Sequence, residues 1–186
     1  MDDKQSLPKI DRARTIGLLF LLAFFAYGIG RYLCDSTQTT EKFVGAALVI
    51  ANSIMVALIG VFLSKTLAVY DKKTSKIYLS ARIVEAIALA SIAIQVFVNS
   101  GISKDFGYFV GMLVLGLGSI PMCIALYKHR IAPAWLAMWG AVGYAIFAFG
   151  FLMELLGKQW SMYLLGLGGL WEIVFAIWLI AKASKR

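Results

Sequence analysis

Four ionisable side chains, Arg82, Glu85, Glu154 and Glu172, stand inside long apolar runs. A charge at the centre of a bilayer costs at least about 2.5–3.5 kcal/mol, so such residues turn inward and mark a pathway, a ligand or a partner. Arg82 and Glu85 are three positions apart, and Tyr78 is four before Arg82. On a helix these three share one stripe. At 1.5 Å of rise per residue, Glu85 lies about 10 Å inside its run and Glu172 about 15 Å from the end of the last run. Asn52 stands at a similar depth in the second run. Arg82 is nearer the end of its run, within snorkelling reach of water. The spacing therefore predicts one polar layer of Asn52, Tyr78, Arg82, Glu85 and Glu172, a candidate site for a ligand or an ion.

One arginine facing two carboxylates leaves the layer with a negative charge in excess. Desolvation and like-charge repulsion both oppose that state. Either one carboxylate keeps a proton, or the layer holds a cation or a positively charged ligand. The structural alternative is an Arg–Glu pair that only locks helices together. For Asn52 the alternative is an interhelical hydrogen bond. Glu154 lies near the end of its run with Lys158 four residues on, the spacing of an interfacial ion pair.

The runs themselves must position this layer. Residues 15–33, 44–63, 77–98, 106–127, 133–156 and 161–181 are apolar and long enough to cross a bilayer, which takes about 20 residues. Backbone groups in lipid must be paired within the segment, so these runs predict helices. The expected fold class is an all-α integral membrane bundle of six transmembrane helices. Residues 1–14 form a polar N-terminal segment and 182–186 a short basic tail. The first run exceeds the roughly 7–15 residues of a signal-peptide core and is taken as a true span. Pro133 suits the first turn of the fifth helix. Paired small residues such as Gly107 and Gly111, Gly140 and Gly143, and Gly166, Gly168 and Gly169 suit close helix packing in lipid. Gly168, one turn before Glu172, would let a neighbour approach the layer. Trp135, Trp160 and Tyr163 fall near expected interfaces, where amphipathic rings anchor.

Of the 18 Lys and Arg, 13 fall in the two termini and the second and fourth connections, against four at the other ends of the runs. That asymmetry predicts cytoplasmic termini. It also accounts for the net charge of +8 without nucleic acid, because no basic face carries the interleaved aromatics that binding would need. The chain is 61% hydrophobic and only 15% charged, against about 25% charged in soluble domains. Its connections are too short to form an external domain. Cys34 and Cys123 fall at opposite ends of the bundle, too far apart for a disulfide, and are expected as packing residues. The single histidine, His129, lies in a connection, so an intramembrane zinc site or a Ser–His or Cys–His pair has no basis. No Walker motif and no mid-membrane lysine for a Schiff base is present. Neither a cofactor nor a metal is expected.

Three stretches carry a family resemblance: Ala81-Arg82-Ile83-Val84-Glu85-Ala86; Leu126-Tyr127-Lys128 with Ile131 to Ala137, Trp139-Gly140 and Gly143-Tyr144; and Gly168 to Ile173 with Trp178-Leu179 and Lys182. In order and spacing the chain resembles the polytopic membrane proteins of domain-of-unknown-function family 4386. The resemblance implies a bacterial inner-membrane protein of about six helices and supplies no activity. The expected partner is the lipid bilayer. The leading functional expectation is binding or transport of a lipid, ion or small molecule at the polar layer. The alternatives are an accessory subunit docking another membrane protein and, third, an intramembrane enzyme.

Overall fold

A computed structural model describes residues 10–98 and 104–184. Most of the expected N-terminal segment, the centre of the third connection and the end of the basic tail lie outside the described residues. Six helices follow one another: α1 (Ile10–Cys34), α2 (Thr39–Leu67), α3 (Lys72–Gln95), α4 (Lys104–Lys128), α5 (Ala134–Leu155) and α6 (Ser161–Ser184). No strand occurs among the described residues. All six helices are long and apolar enough to cross a membrane. The protein is therefore a multi-pass membrane protein, and the fold is the expected one.

Most helices run past the apolar stretches that announced them. α2 begins at Thr39 rather than at Val44, and α3 at Lys72 rather than at Ile77. Hydropathy marks where lipid begins, whereas a helix starts where its first N–H groups are capped. Asp71 shows this. Its carboxylate accepts from the backbone N–H of Lys73 (2.9 Å) and Thr74 (3.0 Å) and from the Thr74 hydroxyl (2.7 Å), an N-cap that satisfies orphan donors. The Thr74 hydroxyl, followed by the amides, holds this carboxyl below the usual carboxylate range. Pro133 occupies the N-cap of α5 itself. α5 ends where Gly157 takes a left-handed φ of 77° and the Lys158 N–H returns to the Met153 carbonyl at 2.8 Å, a Schellman closure.

Each helix packs against the helices before and after it, and α6 closes back on α1. The six form a ring of antiparallel helices, with the start of α1 and the end of α6 at one end, here the terminal end, and the other end distal. Close approach sets the register at several seams. A Cβ on Gly45 of α2 would lie 2.7 Å from the Cys34 backbone nitrogen of α1. At the terminal end a Cβ on Gly17 would lie 2.6 Å from the Ala176 carbonyl of α6. In lipid, such van der Waals contact replaces hydrophobic burial as the driving force. The outer surface is apolar, with Phe25, Ile54, Ile87 and Val142 all exposed. Asn52, Tyr78, Arg82 and Glu85 are buried within the ring, and Glu172 lines its interior. Cys34 and Cys123 are buried and not disulfide-bonded, as expected.

Candidate functional site

Arg82 of α3 is the centre of the ring. It is 1% exposed, and each of its three nitrogens donates one hydrogen bond. Nε donates to the Tyr78 hydroxyl at 2.8 Å, Nη1 to Glu85 Oε2 at 2.9 Å and Nη2 to Glu172 Oε1 at 2.8 Å. The first two bonds run along one face of α3. The third crosses the ring to α6, which is not a neighbour of α3. Three further contacts hold the guanidinium in place. The Phe20 ring of α1 lies 5.2 Å from it, the range of cation–π attraction. The Tyr78 ring lies 5.4 Å away. Gly60 of α2 lets its helix press against the Arg82 stem, 2.6 Å from where a Cβ would stand.

Glu172 is the most open member of the layer, with 23% of its side chain exposed. Its Oε1 also accepts the Tyr144 hydroxyl of α5 at 2.8 Å. Its Oε2 accepts nothing from the described residues. The neighbouring Trp171 fixes the helix. It is fully buried, donates Nε1–H to the Leu136 carbonyl of α5 at 2.6 Å, and lies where a Cβ on Gly140 would stand. Gly168 brings Phe147 of α5 against α6, 3.0 Å from Cβ to Cβ position, as its place one turn before Glu172 suggested.

Above the layer, towards the distal end, lies a cavity of about 470 Å³ to which all six helices contribute. Volumes of about 300–1,000 Å³ are typical of small-molecule sites. Its wall is apolar, with Val56, Leu89, Met112 and Phe147 among the lining residues, and its polar groups are Asn52, Arg82, Glu85, Glu172 and the tyrosines 27, 108 and 144. Asn52 of α2 is 3% exposed. It makes no hydrogen bond with any described residue, in contrast to the interhelical bond that its position allowed. Its amide borders the cavity, where a water or an entering partner can reach it.

The distal end of the cavity is closed across the ring. Tyr27 of α1 stacks on Tyr108 of α4, with centroids 5.6 Å apart and planes 10° from parallel. Arg31 of α1 donates to Asp35 at 2.7 Å and to Asp105 of α4 at 3.1 Å. Phe151 of α5 meets the Tyr108 ring edge-on.

The structure thus brings Tyr78, Arg82, Glu85 and Glu172 into one hydrogen-bonded cluster, with Asn52 at the wall of the same cavity. One expectation is corrected: Arg82 does not snorkel to the membrane surface, because the two carboxylates draw it inward. Phe20 and Tyr144 went unnoticed. Tyr144 carried a signal, since a phenolic hydroxyl in an apolar span must find a partner. Phe20 carried none, because an apolar ring on α1 is indistinguishable from its neighbours until the helices are placed. Among the described residues no group of three His, Cys, Asp or Glu is placed to hold a metal ion.

Ring architecture, apolar exterior and enclosed polar cluster define a polytopic membrane domain. Residues 98–183 match the model of a domain of unknown function, DUF4386. The second and third stretches of the resemblance, with Tyr144 and Glu172, fall inside this match; Ala81–Ala86, with Arg82 and Glu85, precedes it. No curated protein and no solved structure matches the chain.

Proposed function

We propose that this protein binds a lipid, ion or small molecule inside the membrane, in the ring cavity above the Arg82 layer, as a binding or transport protein. The unpartnered Asn52 amide on the wall of a 470 Å³ cavity carries this reading. An assembly or docking role would need neither the cavity nor a buried amide without a partner. Two carboxylates on one arginine add a demand for positive charge, met by a proton, a cation or a charged ligand. The excess of Lys and Arg at the terminal end supports an orientation with cytoplasmic termini. The family resemblance supports a bacterial inner membrane.

The test pairs two substitutions in protein released from membranes into native nanodiscs. Asn52→Leu removes the unpaired amide, and the empty variant is expected to be at least as stable as the wild type. Met112→Trp fills the cavity. Native mass spectrometry of the wild type should show a retained small molecule or lipid that both variants lack. Identical spectra for all three, with Asn52→Leu destabilising, would remove the reading.

A further inference from the structure

The glycines of α6 do not behave alike. Gly168 is packed against Phe147, whereas a Cβ on Gly166 or Gly169 would meet nothing within 4 Å. The same holds for Gly28 on the facing stretch of α1. All three border the cavity. Beside them the apolar side chains Phe24 and Leu170 line the cavity and yet are each 52% exposed. Near the terminal end the two helices touch, through Gly17 with Ala176 and through Phe20 with Phe175. Among the described residues, the α1–α6 seam is therefore shut in its terminal half and open in its distal half. The distal end of the ring is itself blocked by the Tyr27–Tyr108 stack and the Arg31–Asp105 pair. At the other end Arg82, Phe20, Phe175 and Trp171 form a packed floor. The cavity opens sideways, towards lipid.

The chemistry inside narrows what such an opening admits. Arg82 already spends three of its five N–H donors on Tyr78, Glu85 and Glu172, and the two carboxylates beside it repel an anion. The acceptors open to a ligand are Glu172 Oε2, one turn below Gly168, and the amide oxygen of the unpartnered, nine-tenths buried Asn52. The charge of the cluster is negative by one when both carboxylates are ionised. The walls between the seam and this floor are apolar and aromatic. We infer that the distal half of the α1–α6 seam is a lateral portal through which a hydrophobic amine, with an ammonium head on an apolar body, enters from the bilayer to pair with Glu172 and Asn52. The inference rests on the binding role of the cavity proposed above and names its ligand class and its route. The head can belong to a membrane lipid or to a free amine, since the recognising groups are the same.

The probe is dodecylamine, with dodecanol as its uncharged counterpart, on full-length protein in phosphatidylglycerol nanodiscs, corrected for empty nanodiscs. Saturable dodecylamine binding is expected, at least about tenfold tighter than dodecanol and at least about tenfold tighter than to Glu172→Gln, the range of a hydrogen bond to a charged group. Gly166→Phe and Gly169→Phe obstruct the portal where a side chain has room, so the ligand-free Tm stays and the association rate falls about tenfold or more. Should either variant fail to fold, Gly28→Leu obstructs the seam from α1. Displacement of the probe by added phosphatidylethanolamine identifies the bilayer as the source of the head; no displacement identifies a free amine. Equal binding of alcohol and amine overturns the ligand class. Wild-type association rates in all portal variants overturn the route and leave the cavity reading standing. If no probe binds and the wild type also retains nothing in native mass spectrometry, the cavity reading falls with them.

Discussion

Two arginines in this molecule have the same partners in kind and opposite surroundings. Arg31 pairs with Asp35 four residues on and with Asp105 across the ring; Arg82 pairs with Glu85 three residues on and with Glu172 across the ring. Each ties a helix to one that is not its neighbour, α1 to α4 and α3 to α6. The difference is water. The distal trio has side chains 27%, 56% and 54% exposed, the central trio 1%, 5% and 23%. Screening reduces the first to a weak clamp. In the second each lost partner leaves a charge in a medium that cannot solvate it. Ion pairs of the same pattern thus carry unequal energies, and only the buried set can store a charge imbalance for a ligand to relieve.

The largest expected effect tests the buried trio. Arg82→Met leaves two carboxylates facing each other without a cation and should destabilise by about 3–5 kcal/mol, the range for breaking a buried pair. Glu172→Gln should differ in kind, because it removes the surplus charge and keeps a hydrogen-bond acceptor for Tyr144. Its expected thermal stability equals or exceeds that of the wild type. A loss as large as that of Arg82→Met would show that the layer is structural and turn attention to an accessory-subunit role.

Arg31→Ala sharpens the contrast from the other side. Its loss should stay below about 1 kcal/mol and shrink further in high salt, read as Tm at two ionic strengths. A loss comparable to that of Arg82→Met would mean that the distal clamp is shielded from water and that the comparison fails.

The smallest effect belongs to Asp71, a carboxylate outside the membrane and open to water. Its folded pKa is depressed, chiefly by the Thr74 hydroxyl. Its contribution is therefore complete above the ordinary carboxylate pKa and is lost as pH falls through the lower, folded value. Asp71→Ala should lower Tm slightly at neutral pH, and the difference from the wild type should vanish in acid. A difference that persists at acid pH would assign the effect to something other than the ionised cap.

What could be read in advance follows from the solvent. Six spans were legible because a bilayer imposes one length on every crossing, and Arg82, Glu85 and Glu172 were conspicuous because charge is rare there. The depth of Asn52 also followed from rise per residue. The direction in which Arg82 turns was not legible, because depth along one helix says nothing about which partners another helix brings. Nor was the division of the glycines: Gly168 and Gly169 are adjacent in the chain, and only the placement of α1 and α5 makes one a contact and the other an opening. Phe20 and Tyr144 joined the site through the ring closure that sets α1 and α5 on either side of α6.

That closure has a mechanical side. A six-sided frame has three long diagonals, and here two are tied, α1 to α4 by Arg31 and α3 to α6 by Arg82. None of the hydrogen bonds and ion pairs described above joins α2 to α5. Those two struts leave the α2–α5 direction the least braced of the three, and Asn52 of α2 stands on it.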